Sequence, residues 1–280
     1  MLKLLPLALT ATPAMAADPP SWTQPTEPFQ ITDNIYYVGA EGLAAYLIRT
    51  SDGLILIDGT MAENVPFIER NIAAIGFRVQ DIRVLLASHA HFDHAAGLAQ
   101  LQRDSGGRFL SSPGDRTAYA TGTPPSKVSY GVVTFPKMRV DGTLKEGRAV
   151  TLGGVSLTPL FTPGHTAGCT TWTMASPDAG KMRRVVFPCS MTVAGNQLVA
   201  NPGYKTIVTD FRRTFPRMAK LPADIVLPSH PEGADVLARG KRRAAGEEDA
   251  FVAPGLLAKM AADAQQAFEA ELTKQQAAAR

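Results

Sequence analysis

The sequence predicts an α/β protein in which two sheets pack together with helices on their outer sides. Strand-like segments alternate with helical ones, and the order strands, helix, strand recurs once more loosely along the chain. Residues 82–87 form a nearly continuous apolar run, as expected for a strand buried on both faces. A length of 280 residues is ample for a buried core, and the ordinary composition excludes collagen-like, mucin-like and wholly disordered chains. No internal repeat of fixed period is visible.

The first segment reads as an export signal. Lys3 gives a positive start, residues 4–11 are apolar, and Ala14-Met15-Ala16 offers the small-x-small pattern of signal peptidase, so cleavage is expected after Ala16. The apolar stretch is far short of the roughly 20 residues that span a bilayer, and no later stretch is long enough either. An exported, periplasmic protein with no membrane anchor is expected, with residues 17–280 as its single domain.

After a Pro-rich leader, residues 35–38, 44–48 and 54–57 are strand candidates. Gly39 and Ser51-Asp52-Gly53 separate them, which suits consecutive antiparallel hairpins. Residues 65–75 carry Phe67, Ile68, Ile72 and Ile75 at helical spacing and close at Gly76. Residues 93–105 return to a helical pattern through Ala95, Leu98 and Leu101, with Asp93 at the end where amides and helix dipole favour a carboxylate. Residues 121–136 lack periodicity, carry Pro124 and Pro125, and read as a long loop in which Tyr130 and Phe135 are candidates to cover a ligand. Strands are expected again at 155–161, 170–174, 184–187 and 225–227, a helix at 204–219, and a long amphipathic helix at 251–277, interrupted early by Pro254.

A formal charge of +3 is small and scattered, which argues against a nucleic-acid partner. Two cysteines can build neither a disulfide-dense scaffold nor a four-cysteine zinc site. The five histidines are more informative. His89-Ala90-His91-Phe92-Asp93-His94 follows a buried strand and precedes a helix. In extended backbone residues i and i+2 point the same way, so His89 and His91 can share one ion; the chain then turns, and Asp93 and His94 can face a second. His165 and His230 each lie just past a strand, in Pro163-Gly164-His165-Thr166 and Pro228-Ser229-His230-Pro231. All five therefore gather at strand ends, and imidazoles with a carboxylate suit zinc. The pattern predicts a site for two metal ions.

With these motifs the chain resembles the metallo-β-lactamase superfamily along its whole mature length, through Leu56-Ile57-Asp58-Gly59, the 89–94 motif, Gly164-His165-Thr166 and Ser229-His230. Ser21-Trp22, Tyr36-Tyr37-Val38-Gly39, Thr170-Thr171-Trp172 and Asn201-Pro202-Gly203-Tyr204 look most like the class B β-lactamases of the third subclass. The resemblance implies a four-layer αβ/βα sandwich with two Zn2+ in a groove at one edge of the sheets. His89, His91 and His165 would bind the first ion, and Asp93, His94 and His230 the second. It further implies hydrolysis of the β-lactam amide of penicillins, cephalosporins and carbapenems by metal-activated water that Asp93 orients, and so antibiotic resistance. The partner would be a small-molecule β-lactam, and the protein is expected to act as a monomer.

By the same resemblance Ser190 and Thr192 hold the substrate carboxylate, threonine standing where members commonly have serine. Asn196 falls where a relative uses a tyrosine near the carbonyl, although a turn at Gly195-Asn196 accounts for it better. Asp58, at the end of a buried strand, is expected to support the metal site. Several members pair a cysteine four residues after the fourth histidine with one near Ser190, which implies a Cys169–Cys189 disulfide; two free buried thiols are the alternative.

Other hydrolases of the superfamily mostly carry an aspartate bridging both metals, after the strand that follows the fourth histidine. No acid occurs here between Asp178 and Asp210, which favours a β-lactamase. A lactonase or glyoxalase II-like thioesterase is the alternative enzyme, and a non-catalytic zinc-binding relative the alternative of another class.

Overall fold

The computed structural model describes residues 18–280; the expected signal segment and its cleavage point after Ala16 lie outside the described residues. One sheet runs in sequence order through β1 (Phe29–Gln30), β2 (Ile35–Tyr37), β3 (Tyr46–Thr50), β4 (Gly53–Ile57), β5 (Ile82–Leu86), β6 (Arg108–Ser111) and β7 (Gly142–Thr143). It is antiparallel up to β4 and parallel from there on. The second sheet contains β8 (Val150–Leu152), β9 (Val155–Phe161), β10 (Thr170–Asp178), β11 (Lys181–Phe187) and β12 (Ile225–Val226), ordered β12-β11-β10-β9-β8.

The period-2 alternation of the strands builds four layers. Tyr46 and Ile48 of β3 join Ile55, Trp172, Met174, Val185 and Phe187 in the core between the sheets. Leu47 points the other way, into a core with Phe67, Ile68 and Ile72 of α1 (Val65–Ala74) and Leu98 and Leu101 beyond it. On the far side Val186 and Val226 pack with α5 (Ile207–Lys220) and the long C-terminal helix through Phe211, Phe215 and Phe268. The αβ/βα sandwich expected from the sequence is the observed architecture.

Three local expectations change. The helix expected at 93–105 is two, the single turn α2 (Phe92–Ala95) and α3 (Leu98–Ser105). Gly97, between them, lies so close to the Gly59 backbone that a Cβ there would stand 2.1 Å from the Gly59 carbonyl oxygen. The run at 82–87 is not buried throughout, since Arg83 is exposed. The last helix, α7 (Leu256–Ala278), begins only after Pro254 and the left-handed Gly255. Helices α4 (Arg116–Thr121) and α6 (Val236–Ala244) had no periodic signal of their own.

Cys169 and Cys189 form a disulfide with a Cα–Cα distance of 5.8 Å, tying the start of β10 to the chain just beyond β11. Both cysteines are buried, and the loop they close spans 20 residues. Replacing both by alanine is expected to lower stability by about 3 kcal/mol through the freed unfolded chain. Urea unfolding at saturating zinc measures this, and a loss below about 0.5 kcal/mol would contradict it.

Candidate metal centre

The site is assembled where strands end. Beyond β5 the Trp172 indole donates to the Ala87 carbonyl at 3.0 Å, and the Thr170 amide donates to that of Ser88 at 2.8 Å. Asp58, just past β4, accepts from the Ser88 amide at 2.7 Å and the Ser88 hydroxyl at 2.8 Å. Because that hydroxyl proton goes to Asp58, the Ser88 oxygen accepts from His89 Nδ1, 2.9 Å away. Nε2 of His89 is then left with a bare lone pair. His165 is set in the same way, with Nδ1 donating to the Thr192 carbonyl at 2.8 Å.

The two Nε2 atoms of His89 and His165 face each other at 3.0 Å. Two lone pairs at that distance repel unless a cation lies between them, and this tautomer assignment follows from the network alone. His91 completes the group, and one donor atom from each of His89, His91 and His165 falls within 4.8 Å of the others.

A second group adjoins the first. Asp93 Oδ2 is 3.1 Å from His94 Nε2 and 3.4 Å from His230 Nε2, and the two nitrogens are 3.2 Å apart. These edges suit a tetrahedral zinc, whose bonds of about 2.0–2.1 Å set donors about 3.4 Å apart. His230 is placed from the first sheet, where the Tyr46 hydroxyl donates to the Pro228 carbonyl at 2.7 Å and the Ala44 amide to Ser229 at 2.9 Å. The Trp22 ring lies against the His230 ring, centroids 5.6 Å apart.

Burial holds His89 and His165 well below the usual imidazole pKa, and moves His91 down to about 4. All three are thus neutral at pH 7, the form a metal requires. Burial alone would raise Asp93, but the charge of His94 and hydrogen bonds from His230 and His94 keep it well below the carboxylate range. Burial raises Asp58 and Asp115. No lysine or arginine among the described residues pairs with these three carboxylates. Such a pocket of buried negative charge is costly without compensating cations. The chemistry and spacing of the donors therefore fit metal ions.

A cleft of 480 Å³ opens over these groups, lined among others by Trp22, His91, Asp93, Tyr130, His165 and His230. A cavity of 550 Å³ continues past Trp22, Thr192 and His230 and includes Ser190. The Ser190 and Thr192 hydroxyls are 3.0 Å apart. The loop at 121–136 is no free lid: Val128 bridges to Asn196, and the Ser129 amide donates to Gly195 at 2.8 Å. It sets Tyr130 into the cleft, whereas Phe135 is buried beside Tyr119 and covers nothing.

Asn196 also departs from expectation. It is fully buried, its amide nitrogen donates to the His165 and Val193 carbonyls, and its oxygen accepts from Ser126. With every group engaged it has none to offer a substrate carbonyl; it steadies the His165 loop instead. Asp115, hydrogen-bonded to Ala90, Thr166 and Gly168, and Tyr46, which holds Pro228, carry no local motif that singles them out.

The family model of the metallo-beta-lactamase superfamily matches residues 38–230. The chain belongs to this superfamily. The matched span runs from the residue after β2 to the last histidine of the metal centre. Among solved structures, this superfamily member is similar to BJP-1, a subclass B3 metallo-beta-lactamase of Bradyrhizobium japonicum. They share 41% identity over 93% of this chain and 99% of that one, with a TM-score of 0.89. Native FEZ-1 from Legionella gormanii matches at 36% identity and TM-score 0.86, covering 91% of this chain and 98% of that one. A Cronobacter sakazakii metallo-beta-lactamase with a HARLDQ motif matches at 37% identity and TM-score 0.85, over 91% and 98% of the two chains. The present chain has His89-Ala90-His91-Phe92-Asp93-His94, with histidine at the third and sixth places of its motif.

Proposed function

We propose that the protein is a zinc-dependent β-lactamase, exported to the periplasm, that hydrolyses penicillins, cephalosporins and carbapenems and so confers antibiotic resistance. The observation that carries this reading is the convergence of six donor side chains into two adjoining three-donor groups. His89, His91 and His165 would hold one Zn2+, and Asp93, His94 and His230 the other. Two ions fit the charge balance, since Asp58, Asp93 and Asp115 lie buried there with no lysine or arginine partner among the described residues, and four positive charges outweigh three negative. The resemblance to subclass B3 enzymes and the absence of an acid at 179–209 favour the cyclic amide over a thioester or lactone. The disulfide suits an oxidising compartment, and no helix among the described residues is long and apolar enough to cross a membrane.

Bound zinc would lower the pKa of a water to about 7 and polarise the scissile carbonyl. The remaining work falls to the chain. The hydroxyls of Ser190 and Thr192 hold the substrate carboxylate at the cleft's edge. Asp93 uses Oδ2 toward the two histidines, and its other oxygen accepts a hydrogen bond from the attacking water. Trp22 and Tyr130 wall the cleft and exclude bulk solvent.

Zinc-loaded protein is expected to open nitrocefin and a carbapenem, to lose that activity with a chelator, and to regain it with zinc. Failure on every β-lactam, alongside rapid cleavage of a thioester or lactone, would overturn the reading. Zinc uptake with no hydrolysis of any of these would point to a binding protein.

A further inference from the structure

We propose that Asp115 is a positioning residue for the first metal site, joining the two loops that carry its three histidines through one buried carboxylate. Oδ2 of Asp115 accepts from the Ala90 amide at 3.0 Å and from the Thr166 hydroxyl at 2.7 Å. Oδ1 accepts from the Gly168 amide at 2.8 Å. Ala90 lies between His89 and His91, and Thr166 follows His165 directly. One side chain thus grips both halves of a donor set drawn from positions 76 residues apart.

Two features separate this arrangement from ordinary packing. Asp115 precedes α4 at the position where an aspartate side chain commonly caps the helix amides, yet it makes no capping bond. Its carboxylate is turned away from that task toward the metal loops. It is also buried without a basic partner, and its three hydrogen bonds only offset part of the cost of that burial, which still raises its pKa. A neutral side chain would avoid the cost if packing were the only requirement.

The backbone around Asp115 is in direct contact with one of the two loops it joins. A Cβ on Gly168 would stand 2.2 Å from the Asp115 amide nitrogen, and one on Gly114 would stand 2.3 Å from the Ala167 carbonyl oxygen. The 114–115 and 167–168 backbones therefore meet with no side chain between them, and from this contact the carboxylate reaches across to the Ala90 amide. Tying both loops to one side chain holds the 3.0 Å separation of the His89 and His165 Nε2 atoms, where a shift of about 0.5 Å would spoil a metal site.

The inference rests on the reading of the three histidines as one metal site. Its test uses Asp115→Asn, which keeps the shape but removes the charge and turns an amide N–H toward groups that are themselves donors. Thr166→Val removes one of the three bonds at constant shape and decides the matter should the first variant fail to fold. Metal-free protein is titrated with zinc against a chromophoric chelator and with Co2+ followed by its visible absorption. Asp115→Asn is expected to weaken the tighter-resolved first site by about 10–100-fold, and Thr166→Val by less, with Co2+ bands altered in both. Wild-type affinity and an unchanged Co2+ spectrum in both variants, with only a lowered melting temperature, would show a purely structural residue and overturn the proposal. If the wild-type protein itself takes up neither metal, the metal reading fails and this inference fails with it.

Discussion

Asp93→Asn is expected to reduce kcat/KM for nitrocefin by about 1,000-fold. The substitution keeps the side chain's volume but removes its charge from a site where Asp93 Oδ2 lies 3.1 Å from His94 Nε2 and 3.4 Å from His230 Nε2. Residues one step removed from a metal typically cost about 10–100-fold when changed, and a direct donor that also orients the attacking water should cost more. Zinc content measured alongside the kinetics separates the two contributions: loss of one ion reports the donor role, and slow turnover at full occupancy the orienting role. Activity within about tenfold of wild type would remove Asp93 from the mechanism.

Gly97→Ala is expected to cost about 4 kcal/mol of stability, because a Cβ fixed to the backbone meets a backbone carbonyl and neither can rotate away. The added Cβ would meet the Gly59 carbonyl oxygen at 2.1 Å. The same contact supports the metal centre. The Gly97 amide donates to Thr60 at 3.1 Å and the Gly59 amide to His94 at 2.9 Å, while Asp58 and Thr60 flank Gly59 with φ of 63° and 55°. Non-glycine residues in that left-handed region are strained and persist only where their surroundings hold them. The substitution should therefore weaken zinc binding along with folding. Urea unfolding of the metal-free and zinc-loaded protein checks both, and a stability change below about 1 kcal/mol would show that the contact yields.

The helix once expected at 93–105 shows where pattern reading stops. Its apolar spacing is correct on both sides of Gly97, but the break comes from a loop nearly 40 positions earlier in the chain, and no local signal announces it. The strands of the two hairpins and β9 were legible because their alternation or apolar continuity is itself the cause of their burial. Strands β6 and β7 and helices α4 and α6 are short, and neighbours rather than their own pattern hold them in place. The site divides in the same way. His89, His91, Asp93 and His94 lie close together in sequence, whereas the burial of Asn196, a turn residue by its local sequence, depends on the 121–136 loop that pairs with it.

The sequence by itself determined the chemistry: five imidazoles and one carboxylate at strand ends, a missing acid at 179–209, and a resemblance that fixed the fold. Local spacing is enough for that, since residue type sets donor strength and strand period sets direction. The tertiary structure alone decided how those donors are held. The tautomers of His89 and His165, the capture of Asn196 inside the protein and the grip of Asp115 on two distant loops all depend on hydrogen bonds between segments remote in sequence. Such bonds exist only after both sheets have packed, so no window of the chain can contain them.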